Sequence, residues 1–145
     1  MITKFDGKHA FLSNFFPCVI EWEGQVFATV EHAYQAAKTD NLADKIAIQQ
    51  AKTPGQAKRL GRSVTLNEHW EKEKVRVMKS LVKLKFAKPS FRQMLMDTGT
   101  EKLIEGNTWG DKFWGAVLED GLWVGDNMLG RILMKVRDGE QGGLR

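Results

Sequence analysis

The stretch "NEHWEKEKVRVMKSLVKLKF", residues 67–86, carries apolar side chains at Val75, Met78, Val82 and Phe86, joined by Val77, Leu81 and Leu84. They recur at the 3.6-residue helical period and form a broad stripe suited to burial. "EKEKVRVMK" (71–79) mixes charge signs and reads as the wet side of the same helix. Asn67 is the expected N-cap. A helix of this length predicts a mainly helical domain, and the flanking segments are read against it.

Upstream, Thr53, Pro54 and Gln56 give a capping box with proline at the first helical position, so a helix starts there and ends around Gly61. Another begins near Asp40 in "NLADKIAIQQA". "VEHAYQAAKT" (30–39) is helical, with Thr29 as candidate cap, and "FPCVIEWEGQVFAT" (16–29) reads as a hairpin around Glu23-Gly24. Downstream, "PSFRQMLMDTG" is a short helix from Pro89 to a stop at Gly99, and "EKLIEG" (101–106) reads as a strand. Residues 107–127 hold three Trp and four Gly, an ordered irregular stretch with one or two short strands. "NMLGRILMKVR" (127–137) is a final helix, and 138–145 a frayed tail. The expected fold class is α+β: one compact domain over residues 1–145, mainly helical, with a small β-sheet. An all-α fold is the alternative.

The chain has 145 residues, enough for a single core, with 42% hydrophobic and 28% charged residues. No apolar run is long enough to span a membrane, and the first residues lack the pattern of a secretory signal. One cysteine, Cys18, makes no internal disulfide, and three histidines lack ligand spacing, so neither a metal nor another cofactor is expected. The cytoplasm is the expected compartment. A net charge of +4, from 22 Lys and Arg against 18 Asp and Glu, mildly favours an anionic partner.

Candidate chemistry sits in four places. Glu31, Tyr34, Gln35 and Lys38 fall at i, i+3, i+4 and i+7 of "VEHAYQAAK" (30–38) and share one helix face, while the alanines allow close approach elsewhere. Glu31 lies in the first turn, where the helix dipole favours its ionised form. Two readings stand: a wet surface stripe, or a general acid or cation-stabilising carboxylate. In "NTWGDKFWG" (107–115), Asp111 stands between Trp109 and Trp114. It is either a turn aspartate beside core aromatics or a partly desolvated group suited to proton transfer. In "FLSNFFP" (11–17), Phe11, Phe15 and Phe16 are expected in the core, with Ser13 and Asn14 needing partners. In "GDNMLG" (125–130), Asn127 caps the last helix, whose free N–H groups also suit a phosphate. Trp70 is a stacking surface or core. His32, His69 and Cys18 read as structural.

Together with "LGR" (60–62), "KSLVKLKF" (79–86), "LMDTG" (95–99) and "LIEGNTWGDKFWG" (103–115), in this order, these stretches resemble the NADAR domain, or YbiA-like, family from about Phe11 to Arg137. The resemblance implies an N-glycosidase that hydrolyses a ribosyl C–N bond. Implied substrates are riboflavin-pathway intermediates carrying a ribose phosphate, or ADP-ribosylated guanine in nucleic acid. It implies catalytic roles for Glu31 and Asp111 and substrate contacts from Trp70, Trp114, Gly115 and Asn127. Asn14, Tyr34, Lys38 and Arg62 are further candidates for phosphate or ribose contacts. Ala33 stands where many members have an aromatic residue after Glu-His, a difference that bears on pocket shape. No membrane and no obligate protein partner is expected. A non-catalytic ADP-ribose- or NAD-binding module is the alternative function. A basic nucleic-acid-binding protein is a weaker one, because the basic residues are not clustered.

Overall fold

The computed structural model describes residues 1–139, so the expected frayed tail lies outside the described residues from position 140 onward. The chain forms two units, Asn14–Lys85 and Met1–Ser13 with the stretch from Phe86 on. No described helix is long and apolar enough to cross a membrane.

The first unit opens with an antiparallel hairpin, β1 (Ile20–Trp22) and β2 (Gln25–Phe27), with Ile20 opposite Phe27 and Trp22 opposite Gln25. Its two turn residues, Glu23 and Gly24, have φ of +49° and +84°. This left-handed pair matches the right-handed twist of the strands, as a two-residue turn requires. Helix α1 (Val30–Ala37) follows, and α2 (Leu42–Gln49) and α3 (Pro54–Gly61) pack against it and each other. Each has a side-chain cap: Thr29 Oγ1 accepts from the His32 N–H, Asn41 Oδ1 from Asp44, and Thr53 Oγ1 from Gln56. The Gln56 side-chain oxygen reaches back to the Lys52 N–H at 2.8 Å, closing the expected box one residue early.

Helix α4 (Trp70–Phe86) departs from its sequence reading in two ways. Asn67 is not its side-chain cap. The Asn67 N–H and Nδ2 donate instead to the Lys38 and Ala37 carbonyls, at 2.7 and 3.0 Å. Lys45 Nζ takes the Ala36 carbonyl at 3.0 Å. The C-terminal carbonyls of α1 need donors, and residues distant in sequence supply them. The buried stripe is also rotated: Trp70, Val77, Met78, Leu81, Val82, Lys85 and Phe86 are buried, Val75 is half-buried and Leu84 is exposed. Burial pulls the Lys85 ammonium down to about 8, with its Nζ 5.9 Å from the centre of the Phe16 ring. Phe11 is buried as expected, whereas Phe15 is 41% exposed and Phe16 half-buried.

The second unit contains a 3-10 helix, Gly7–Leu12, that no local signal announced. Its Phe11 meets Phe86 edge-on at 6.4 Å, and Phe86 meets Phe91 of α5 (Pro89–Met96) at 6.1 Å. The second hairpin pairs β3 (Val117–Glu119) with β4 (Leu122–Val124) through Asp120 and Gly121, again both at positive φ. The expected strand at 101–106 is absent; the segment makes only single bridges, Ile2 to Leu103 and Gly106 to Ala116. Where a neighbouring strand would run, the Asn127 side chain takes the backbone. Its Oδ1 accepts from the Glu105 N–H and its Nδ2 donates to the Leu103 carbonyl, both at 2.9 Å. Asn127 is the N-cap residue of α6 (Met128–Arg137), at φ +51°, but makes no side-chain capping bond. Helices with two small antiparallel sheets give the α+β class and exclude the all-α alternative.

Candidate functional site

Every residue of α1 is buried. That removes the reading of its polar face as a wet stripe. Glu31 is 7% exposed, Tyr34 6% and Gln35 3%, and Lys38 at the C-cap is half-buried. The helix is anchored at both ends. The Glu31 N–H donates to the Asn14 carbonyl at 3.1 Å, and the helix C-terminus meets Asn67 as described. The Asn14 side chain points its Nδ2 to Met78 Sδ at 3.5 Å. His32 is structural, as expected: its ring contacts Thr29 Oγ1 at 2.8 Å and the Ala51 carbonyl at 3.0 Å. A carbonyl only accepts, so Nε2 carries a proton there.

Glu31 Oε2 accepts from Gln35 Nε2 at 2.6 Å, one turn along the same helix. Burial pushes the Glu31 carboxyl above its ordinary range; the Gln35 bond and the charges of Lys58, Lys38 and His32 oppose this without cancelling it. Burial thus shifts the balance toward the neutral form, where the first-turn position suggested the ionised one. Burial likewise lowers the Lys38 ammonium, Glu31 raises it, and Lys58, Arg62 and Lys74 lower it further. The Glu31 carboxyl thus lies near Lys38 at the end of α1 and Lys58 of α3, and Lys38 in turn feels Arg62 and Lys74. Lys38 Nζ stands 5.7 Å over the Tyr34 ring, and Tyr34 lies 5.2 Å from the Trp70 ring at 54°. This unit therefore gathers Glu31, Tyr34, Lys38, Arg62 and Trp70. Trp70 also lines an open cavity of about 500 Å³, with Trp22, Ala37, Asn67, His69 and Arg76 among its walls; Glu31 is not one of them.

Lys58, Lys74 and Gly61 were missed in the sequence. Lys58 and Arg62 do lie one turn apart on α3, but nothing local tells which helix that turn faces. The arrangement can hold a phosphate-bearing ligand electrostatically and present it with a carboxyl whose proton is retained to higher pH than usual.

Asp111, Trp114, Gly115 and Asn127 belong to the other unit. Asp111 Oδ1 accepts from the N–H groups of Phe113 and Trp114, at 3.0 and 2.9 Å. Asn107, 7% exposed, exchanges bonds with the Asp111 backbone: its Oδ1 accepts the N–H at 2.9 Å and its Nδ2 donates to the carbonyl at 2.8 Å. Trp114 is half-buried, edge-on to Phe113 at 4.9 Å. Gly115 is required by close approach, since a Cβ there would overlap the Glu105 carbonyl. The phosphate-ready helix start expected at Asn127 is already occupied: the N–H groups of Asn127, Met128 and Leu129 donate to the carbonyls of Gly115, Phe113 and Trp114. Among the described residues, no three His, Cys, Asp or Glu side chains cluster as metal ligands.

Comparison with known proteins supplies the context. The profile of the NADAR domain matches residues 3–139. A riboflavin biosynthesis protein of Vibrio vulnificus is 37% identical over 136 residues, which cover 92% of this chain but only 36% of that protein. The chain thus spans about a third of the length of that relative. An N-glycosidase of Nostoc punctiforme is 39% identical over 132 residues, covering 87% of this chain and 82% of the relative. The N-glycosidase YbiA of Escherichia coli is 34% identical over 129 residues, covering 87% and 78%. Its NMR structure superposes with a TM-score of 0.81 at 31% identity, over 97% of this chain and 85% of that one.

Proposed function

The chain belongs to the NADAR domain family and is a hydrolase of N-glycosyl bonds; we propose that it acts on a phosphorylated N-riboside, with Glu31 as its acid/base. The observation that carries this reading is the buried Glu31 carboxyl, held by Gln35 and within reach of the charges of Lys38 and Lys58.

Cleavage of a ribosyl C–N bond passes through an oxocarbenium-like state, with positive charge shared by C1 and the ring oxygen. The leaving nitrogen needs a proton as the bond breaks, and a carboxyl with a raised pKa supplies one near neutral pH. Once ionised, the same carboxylate stabilises the sugar cation and then accepts a proton from the attacking water. The cations of α1 and α3 bind the phosphate and hold the sugar in place. Trp70 and Tyr34 supply flat faces against the base or ribose. Asp111 is assigned a positioning role for its own loop, through its bonds to Phe113 and Trp114.

Relatives of this chain named riboflavin biosynthesis proteins favour a ribosylamine phosphate of that pathway over ADP-ribosylated guanine as substrate. The test is mass spectrometry of a small panel incubated with wild type and with Glu31→Gln. The panel holds a riboflavin-pathway ribosylamine phosphate, ADP-ribosylated guanine in DNA, and NAD. The expected result is release of a free base or amine from the first by wild type alone. Binding without release from any of the three, by folded protein, overturns this reading in favour of a binding module. Turnover of ADP-ribosylated DNA alone reverses the choice of substrate.

A further inference from the structure

The Gln35 side chain is 3% exposed, and only one end of its amide is used. Nε2 donates to Glu31 Oε2, while Oε1 is buried with no hydrogen-bond partner among the described residues. This orientation suits the ionised form of Glu31, which only accepts. A buried acceptor left without a donor destabilises a fold, and such groups concentrate where function requires them.

The space for that amide comes from α3. A Cβ built on Gly61 would overlap Gln35 Oε1, and it would stand 2.7 Å from the amide carbon. Gly61 has no left-handed φ and is the last residue of helical α3, so neither turn nor cap requires glycine. What requires it is the close approach of α3 to the Gln35 side chain on α1. The sequence reading of Gly61 as a helix terminator finds the right place for another reason.

We propose that Gln35 is the positioning residue of Glu31, and that Gly61 is the gap in α3 that lets its amide reach the carboxylate. The inference rests on the reading of Glu31 as the acid/base. The carboxyl of Glu31 responds to Lys58 from α3 and to Lys38 and His32 from its own helix. Lys45 of α2 is turned to the Ala36 carbonyl. Gln35 is the side chain that bonds it, so losing that bond leaves burial less opposed and raises the Glu31 carboxyl further.

The test is a ¹³C NMR titration of the Glu31 side-chain carboxyl in glutamate-labelled protein, assigned by its loss in Glu31→Gln. It is run on wild type, Gln35→Ala, Gly61→Ala and the double variant. The titration midpoint is expected to rise in each single variant. The double variant should match Gln35→Ala, because truncating the Gln35 side chain removes the atoms that the new methyl group would overlap. The alkaline limb of the pH–rate profile, where the general acid loses its proton, should move in step, with kcat falling more than KM changes. An unmoved midpoint in Gln35→Ala overturns the role of Gln35, whether or not Gly61→Ala folds. A midpoint that moves in Gln35→Ala and not in folded Gly61→Ala overturns the role of Gly61. If Glu31→Gln keeps full activity while the midpoints shift, the acid/base reading fails and the positioning geometry stands.

Discussion

The two acidic motifs of this chain, "VEHAYQAAK" and "NTWGDKFWG", look alike on paper, each a carboxylate among aromatic and small residues, yet their polar groups are used differently. In the second, Asn107 and Asp111, joined by Asn127 from beyond the motif, bond to backbone and hold a loop and a helix start together. In the first, Glu31 is held by another side chain at 2.6 Å, buried, and surrounded by cations. A polar residue that saturates backbone groups has a structural explanation. A buried carboxyl with a raised pKa and a partner that leaves its own oxygen unsatisfied lacks one, and that contrast is the ground for proposing Glu31 rather than Asp111 as the acid/base.

The contrast can be broken most directly by activity. Glu31→Gln should lower kcat by about 10²–10⁴, the usual worth of a general acid, whereas Asp111→Asn keeps an oxygen for both N–H groups and should lose less than about tenfold. Steady-state kinetics of the two variants decides it. A thousandfold loss in Asp111→Asn would bring the second carboxylate into the chemistry.

Next in size is scaffold stability. Asn127→Ala leaves the Glu105 N–H and Leu103 carbonyl without their partner, at a cost of roughly 2–6 kcal/mol by urea denaturation, from about 1–3 per buried group. An effect below half a kcal/mol would mean water replaces the side chain, and the loop is less dependent on it than the geometry indicates. Thr29→Ala removes the α1 cap and the His32 contact, and should cost about 1–2 kcal/mol.

The smallest expected effect is a pH dependence. The Glu31 carboxyl has a raised pKa in the folded state, so its contribution to stability is fully present below its unfolded value and is lost as pH rises through the folded value. Glutamine at this position does not titrate. Glu31→Gln should therefore gain thermal stability relative to wild type as pH rises, and that relative gain should fade as pH drops below the ordinary glutamate range. Melting curves from pH 4 to 8 test this; a difference independent of pH would mean the carboxyl is as well solvated folded as unfolded.

Much of this was legible locally. Thr29, the Thr53–Pro54–Gln56 start and the Glu23–Gly24 turn are set by hydrogen bonds and φ preferences within a few residues, and each appears where its signal predicts. The errors fall where distant groups compete. Asn67 closes α1 because the Ala37 and Lys38 carbonyls need donors. Residues 101–106 form no strand because Asn127, 22 residues beyond Glu105, takes the edge. Lys85 occupies a buried position on a face that periodicity assigned to Leu84.

For the candidate site the division is the same. Sequence spacing by itself places Glu31, Tyr34, Gln35 and Lys38 on one face of a helix, because the angle between residues on a helix is fixed by backbone geometry. It does not say whether that face is wet. Only the tertiary structure decided that, by bringing Lys58 and Gly61 of α3 against α1 and removing water from Glu31. Solvation depends on what covers a surface, and the covering residues come from another helix.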